Sequence, residues 1–505
     1  MENNRAGILV LVLNTIAFTV CFACWMLNGV LVAFLMENHV FPWTESQVGW
    51  LIGAPVLTGS LLRLPIGALT DRFGGRIMFP LIMVASALPM YLLSMANSYY
   101  GFLLASLGFG IAGSSFATGV AYTSLWFKKE HQGTALGIFG AGNVGAALTS
   151  MGAPRFLGYL TRNGEDIEGW RNLPKCYAAM LVVMTIVFLL CARTRKVDNS
   201  NITGLATRLA PLKNLRVWRF GLYYFLTFGC FVALSQWLIG YYVNAYTMSV
   251  ATAGLMASAF SLPSGLVRAL GGYLSDRFGA RRVMYVVLTS CLVCFALLIV
   301  PRMEIESPGK GVQAKAAGAV TEVSNGKIVA GGITYNLQTD SGKGTDDKEW
   351  LSGVLVLPKS ESRQVSTVKV GDTVQKKQLL ARGVTHIYFQ ANLWVFTALV
   401  FIAGFMMGIG NAAVYKHIPD YFPLNVGVVG GIVGVLGGLG GFVCPILFGY
   451  LLEYTGIWTT CWMFMSVLAA ICLGWMHIVV QIMLHKEAPS LRGRIEHMPL
   501  AGQQG

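Results

Sequence analysis

The chain has 505 residues, of which 55% are hydrophobic and only 12% charged. Soluble domains carry about 25% charged residues, so secreted disulfide scaffolds, Rossmann-type enzymes and disordered chains are excluded. The formal charge of +14 raises nucleic acid or acidic lipid as a partner, and its placement along the chain decides what it means.

A membrane-crossing helix needs about 20 apolar residues. Twelve such runs are predicted, near 8–36, 46–70, 76–96, 100–125, 133–160, 175–192, 217–243, 250–274, 281–301, 392–416, 426–451 and 456–484. The first is too long for the apolar core of a cleaved signal. Cys21-x-x-Cys24 and Cys291-x-x-Cys294 lie inside runs that lack His or polar neighbours. They read as small apolar filler, not as redox or metal motifs. Between the sixth and seventh runs stand Arg193, Arg195, Lys196, Arg208, Lys213, Arg216 and Arg219 against the single acid Asp198. Other basic groups fall in short loops at Arg72 and Arg76, at Lys128 and Lys129, and at Arg277, Arg281 and Arg282. The alternate loops, around 37–45, 97–99 and 244–249, hold no Lys or Arg. That alternation is the positive-inside pattern and predicts a multi-pass protein of the cell (inner) membrane with both termini cytoplasmic. The basic excess is thereby an orientation signal, and no basic–aromatic module for nucleic acid accompanies it. The sequon at Asn201 falls on the cytoplasmic side and is inert.

Six runs on each side of a basic linker suggest duplication, and the residues repeat accordingly. Gly67-x-Leu69-x-Asp71-Arg72-x-Gly74-x-Arg76 returns as Gly272-x-Leu274-x-Asp276-Arg277-x-Gly279-x-Arg281, 205 residues later. Pro154 with Gly158-Tyr159-Leu160 returns as Pro445 with Gly449-Tyr450-Leu451, 291 residues later. The two offsets differ by 86, nearly the length of the polar stretch 302–391. The predicted organisation is therefore a six-helix half (1–192), a cytoplasmic linker (193–216), three helices (217–301), an insertion (302–391), three helices (392–485) and a cytoplasmic tail (486–505). Internal repeats of this kind mark secondary transporters with a midplane site. The fold class is an all-α polytopic membrane protein of twelve transmembrane helices in two pseudo-symmetric halves, carrying a small β-rich extracytoplasmic domain. Within that insertion, Gly326-Lys-Ile-Val-Ala and Gly353-Val-Leu-Val-Leu read as strands. Val368-Lys-Val-Gly-Asp372-Thr-Val resembles one strand-turn-strand of biotinyl/lipoyl-like domains, without an evident carrier lysine. Its partner is unknown.

Ionisable residues deep in a membrane are expensive and mark function. Arg63 and Arg268 are symmetry equivalents about two turns before their motif, and no Asp, Glu or His lies at comparable depth. Two unpaired guanidiniums repel one another and keep a large desolvation cost. An anion between them removes both problems; the competing reading is that they pair with backbone carbonyls or snorkel. The planar guanidinium fork suits trioxo or carboxylate groups. The fifth run, with Gly142, Asn143 and Gly145, and the eleventh, with Gly434, Gly437, Gly438, Gly440 and Gly441, are rich in small residues that let helices close around a small ligand. Asn143 is a candidate donor to that ligand.

With these residues the chain resembles the nitrate/nitrite porter family of the major facilitator superfamily. The repeated loop motif matches the superfamily signature, and the glycine-rich fifth and eleventh runs match the family's nitrate signatures. The resemblance implies that Arg63 and Arg268 are the substrate arginines. It further implies that Tyr224, in Tyr224-x-x-Thr227-Phe228-Gly229, contacts substrate, and that Phe116 and Phe228 are its aromatic walls. It implies nitrate and nitrite as substrates, the lipid bilayer as environment, no cofactor, and protons as a candidate co-substrate. The fifth-run wording Gly-Ala-Gly-Asn-Val-Gly looks like the proton-symporting branch, while an empty cationic site favours nitrate/nitrite exchange. A transporter-like anion receptor and a porter of another small anion are the competing functions. No nucleophile–base set or metal cluster points to an enzyme.

Overall fold

The computed structural model describes residues 2–127, 129–194, 210–299, 303–324, 326–337, 359–389, 392–422 and 426–486. Lys128, Arg195, Lys196, Asp198, the Asn201 sequon, Arg208, the run Gly353–Leu357 and the tail from 487 lie outside them. The chain divides into two units, one of residues 1–299 with 399–505 and one of residues 300–398.

The first unit is built of helices. They are α1 (Glu2–Trp25), α2 (Leu27–Glu37), α3 (Glu45–Leu61), α4 (Arg63–Phe73), α5 (Gly75–Leu93), α6 (Tyr99–Phe109), α7 (Ser115–Ser124), α8 (Lys129–Gly140), α9 (Gly145–Leu160) and α10 (Asn172–Cys191). Then come α11 (Leu215–Tyr224), α12 (Cys230–Tyr246), α13 (Val250–Phe278), α14 (Ala280–Leu297), α15 (Leu393–Tyr421), α16 (Val426–Thr455) and α17 (Thr460–Lys486). Among the described residues, ten helical stretches are long and apolar enough to cross a membrane, eleven if α3 and α4, bent by 40°, count as one. The expected span 133–160 is not among them. Gly140 and Gly145 bracket a 3₁₀ turn, Ala141–Val144, that lies between helices of 12 and 16 residues.

Such breaks recur in the unit. The α3–α4 bend follows from Pro65, whose ring opposes the carbonyl four residues earlier, at Leu61. A 3₁₀ turn, Gly110–Ser114, separates α6 from α7. A π-helical stretch, Phe225–Gly229, separates α11 from α12. Mid-helix 3₁₀ and π segments often mark functional positions, because they redirect side chains and free backbone groups.

The two repeats of this unit pack across one another. A Cβ on Gly49 would stand 2.4 Å from the Pro445 carbonyl oxygen, and one on Gly449 2.4 Å from that of Glu45, so α3 and α16 meet backbone to backbone. Likewise a Cβ on Gly254 would lie 2.2 Å from the Ser150 carbonyl oxygen and one on Gly265 3.0 Å from the Val144 nitrogen, joining α13 to the fifth run. Small residues are what permits this approach.

Both copies of the loop motif turn on glycine. Gly74 has φ 82° and Gly279 φ 86°, a region closed to side-chain-bearing residues at low cost. Gly279→Ala is expected to cost about 1–3 kcal/mol and to lower the unfolding temperature of the purified protein. Around these turns the charged groups bind neighbouring helix ends. Asp276 pairs with Lys416 of α15 at 2.6 Å, Arg76 donates to Thr194 Oγ1 at 2.8 Å and Arg281 to Tyr421 Oη at 2.9 Å. Arg277 donates to Tyr273 Oη at 3.1 Å. Arg72 lies 5.4 Å from the Phe73 ring. A Cβ on Gly272 would meet nothing within 4 Å and one on Gly67 only Ala117, at 3.9 Å.

The second unit consists of strands, in two sheets ordered β1-β7-β5 and β4-β3-β2-β6. They are β1 (Met303–Gln313), β2 (Gly318–Ser324), β3 (Lys327–Ala330), β4 (Ile333–Asn336), β5 (Lys359–Ser366), β6 (Thr373–Val374) and β7 (Leu379–Phe389). The expected strand after Gly326 is β3. Gly331 and Gly332, both at positive φ, form the two-residue loop between β3 and β4, where such backbone matches strand twist. Val320, Ile328, Val374 and Leu380 fill its core.

Candidate anion-binding site

The helix breaks bring the sequence-selected residues together. Arg63 opens α4 at the bend and is 4% exposed, while Arg268, in the continuous helix α13, is 8% exposed. Phe116 of α7 stands against both: the Arg63 guanidinium carbon lies 5.4 Å from its ring centre and that of Arg268 5.3 Å. Phe228, in the π stretch, lies 5.1 Å from Arg63. Aromatic faces attract cations without neutralising them, so the rings hold the guanidiniums apart from lipid and leave their charge standing.

The two arginines differ in how far the protein satisfies them. Arg63 Nη1 donates to the Gly434 carbonyl at 2.9 Å and Nε to the Gly113 carbonyl at 3.5 Å. The reading of pairing with backbone carbonyls therefore holds in part for Arg63. It fails for Arg268: its Nη2 donates to Tyr224 Oη at 3.3 Å, and its Nη1 is buried with no partner. Among the described residues no carboxylate pairs with either. A buried, unpartnered guanidinium N–H is costly, and an anion is the group that removes the cost.

Tyr224 is held in an aromatic cage. It stacks on Phe228 at 4.9 Å and meets Tyr415 edge-on at 5.0 Å. The glycines fall into two groups. Gly434, Gly437 and Gly438 border the site itself. A Cβ on Gly438 would lie 3.4 Å from Arg63 Nη1, one on Gly437 2.1 Å from the Tyr224 ring, and one on Gly434 3.0 Å from Tyr415 Oη. Gly142 and Gly145 instead face helix α1, with Phe18 and the Thr19 carbonyl nearest, so their small size serves the approach of α1 and α9. Between them Asn143 is 1% exposed and its Oδ1 has no partner.

Sequence reasoning missed four neighbours. Trp25, at the α1–α2 break, lies 5.7 Å from Arg63 and is fixed by an indole N–H donated to the Pro55 carbonyl at 2.8 Å. Ser60 Oγ is buried and unpartnered where a Gly438 Cβ would meet it. Tyr415 and Asn411 lie one turn apart on α15, so they share a face, and both amide atoms of Asn411 are buried without partners. The signal for Asn411 was available: a lone amide in the apolar run Gly408–Val414.

The sequence profile of the Major Facilitator Superfamily matches residues 13–308 and 379–497. A relative from Thermus thermophilus named "Probable nitrate/nitrite antiporter NarK1" is 39% identical over 495 residues, covering 96% of this chain and 95% of its own. The chain belongs to the nitrate/nitrite porter family of the major facilitator superfamily. The porter is also 25% identical, over 95% of its length, to the nitrite extrusion protein of Bacillus subtilis (strain 168), of which 96% is covered. In fold it is similar to a bacterial homologue of the human lysosomal transporter Spinster, captured inward-facing and occupied. That comparison has TM-score 0.60 and 15% identity, covering 94% of this chain and 97% of the other. It is likewise similar to the nucleoside transporter NupG, at TM-score 0.58 and 11% identity, covering 94% of this chain and 99% of the other. The gap in the profile match, 309–378, falls inside the predicted insertion. The porter is thus a helical membrane transporter.

Proposed function

We propose that this porter moves nitrate and nitrite across the membrane by alternating access, with the anion held between Arg63 and Arg268. The observation that carries the reading is the buried Nη1 of Arg268 without a partner, beside a Phe116 ring shared with a second guanidinium. A planar oxyanion supplies acceptors in the plane of each fork. Phe116 and Phe228 bound it, Tyr224 positions Arg268, and Asn143 contributes a buried amide. Gly434, Gly437 and Gly438 narrow the path, while Gly142 and Gly145 set the helix approach. The loop motifs, Gly67 to Arg76 and Gly272 to Arg281, brace the cytoplasmic ends.

In this reading twelve membrane helices form two halves, 1–192 and 217–301 with 392–485, in the inner membrane. The linker 193–216 and the tail 486–505 are cytoplasmic, and 302–391 is an extracytoplasmic domain with a partner yet unassigned.

Empty, the site carries two positive charges that oppose closure of the halves around it. Occupied, it is neutralised, so return without an anion is disfavoured and exchange of nitrate for nitrite follows. The relative from Thermus thermophilus, named as an antiporter, supports that coupling. The fifth-run wording around Asn143 favours the second reading, proton symport. Proteoliposomes separate them. Uptake of isotopic nitrate is expected to require internal nitrite and to ignore a pH gradient; uptake driven by the gradient into nitrite-free vesicles would establish symport. Binding without any flux would instead mark a receptor.

A further inference from the structure

A second cluster of basic side chains lies at the end of the seventh run that the orientation above puts in the cytoplasm. Arg219 of α11 is 8% exposed and His417 of α15 is 7% exposed. Together with Arg281, Tyr223 and Tyr421 they line one small cavity, of about 20 Å³, room for a single water-sized group. Arg281 donates to Tyr421 Oη at 2.9 Å, the His417 ring stacks on Phe220 at 5.5 Å, and the Arg216 guanidinium carbon lies 5.3 Å from the Tyr421 ring. Among the described residues Arg219 and His417 make no hydrogen bond to protein. The carboxylate nearest in sequence to Arg281, Asp276, is already engaged by Lys416. A guanidinium as buried as that of Arg219 is costly unless an anion meets it.

We infer that Arg219, Arg281 and His417 form a second oxyanion site, separate from the central one. The cavity admits one charged oxygen, with the remainder of its owner outside the mouth. Two sources present that chemistry. One is the phosphate of an anionic phospholipid, since basic pockets between membrane helices on the cytoplasmic side take such headgroups and apolar Val479 and Val480 complete the lining. The other is a free cytoplasmic oxyanion. The inference goes beyond the transport reading and does not depend on it.

The test uses the purified, delipidated porter and follows its unfolding temperature on titration with cardiolipin, with zwitterionic phosphatidylcholine, with inorganic phosphate and with nitrate. Cardiolipin or phosphate is expected to stabilise the wild type, and Arg219→Gln to weaken that response about tenfold or more, as loss of a charge-assisted hydrogen bond does. Nitrate stabilisation through the central site is expected to persist in this variant, which reports that it is folded. A response to cardiolipin alone assigns the lipid as source, and one to phosphate alone assigns the free anion. Arg281→Gln is read in the same way should Arg219→Gln fail to fold. Equal responses in wild type and variants, or no response to either probe, would overturn the site. Loss of the nitrate response alone would count against the central site instead.

Discussion

Arg268→Ala is expected to abolish isotopic nitrate flux in proteoliposomes and, at the same time, to raise the unfolding temperature of the substrate-free protein. Arg63→Ala is expected to abolish flux and to lower that temperature. The opposite signs follow from the partners each guanidinium has. Arg268 brings one hydrogen bond of 3.3 Å to Tyr224 and one buried N–H with no acceptor. Removing it deletes an uncompensated buried charge, and such charges oppose folding by several kcal/mol unless paired. Arg63 instead satisfies the Gly434 and Gly113 carbonyls. Removing it strands those acceptors, at about 1–3 kcal/mol for each buried group left unmade. Flux falls in both cases because a hydrogen bond to a charged group contributes about 1.5–3 kcal/mol, and each arginine offers the anion more than one. A loss of at least about a hundredfold is the expected size. Substantial residual flux in either variant would refute the two-arginine site. A fall in unfolding temperature for Arg268→Ala would show that its charge is already compensated.

The site was legible in the sequence where chemistry is rare and where it repeats. Two arginines in apolar runs, 205 residues apart in matching contexts, need no coordinates to stand out, because a charge in hydrocarbon is expensive. The same held for the loop motif, in which Gly74 and its counterpart Gly279 both stand at positive φ. What the sequence could not separate was one glycine from another. Gly142 and Gly437 both stand in glycine-rich runs, yet one faces helix α1 and the other the Tyr224 ring. Helical periodicity gives the face, not the neighbour that will occupy it. Ser60 and Trp25 were hidden for a related reason. Single polar or aromatic residues in apolar runs are common, and only burial beside the arginines distinguishes these. Helix breaks were half visible. Pro65 announces the bend beside Arg63, but Arg268 has its Pro263 placed differently and sits in a helix that runs unbroken from Val250 to Phe278.

The second large effect is expected at Gly437. A Cβ there would stand 2.1 Å from Tyr224 Cδ1, 2.8 Å from Cγ and 3.0 Å from Cβ. The last two atoms are not the far end of a flexible chain, so the ring cannot simply swing aside. Tyr224 is also pinned by Phe228, stacked at 4.9 Å, and by Tyr415 at 5.0 Å. Gly437→Ala must therefore move α16 from α11 or drive Tyr224 out of its cage. Moving the helices is resisted nearby, because a Cβ on Gly229 would already lie 2.2 Å from the Gly437 carbonyl oxygen. Overpacking of this kind costs about 1–3 kcal/mol, which should appear as a lower unfolding temperature. The functional loss should be larger than the structural one. Displacing Tyr224 removes the single hydrogen bond that Arg268 has, so nitrate affinity is expected to fall about tenfold or more. Gly152→Ala is the matched control, since its Cβ would meet nothing within 4 Å. Nitrate uptake and unfolding temperature should stay at wild-type values there. If Gly437→Ala behaved like Gly152→Ala, the Tyr224 cage would be looser than its ring contacts require, and positioning of Arg268 would have to come from elsewhere.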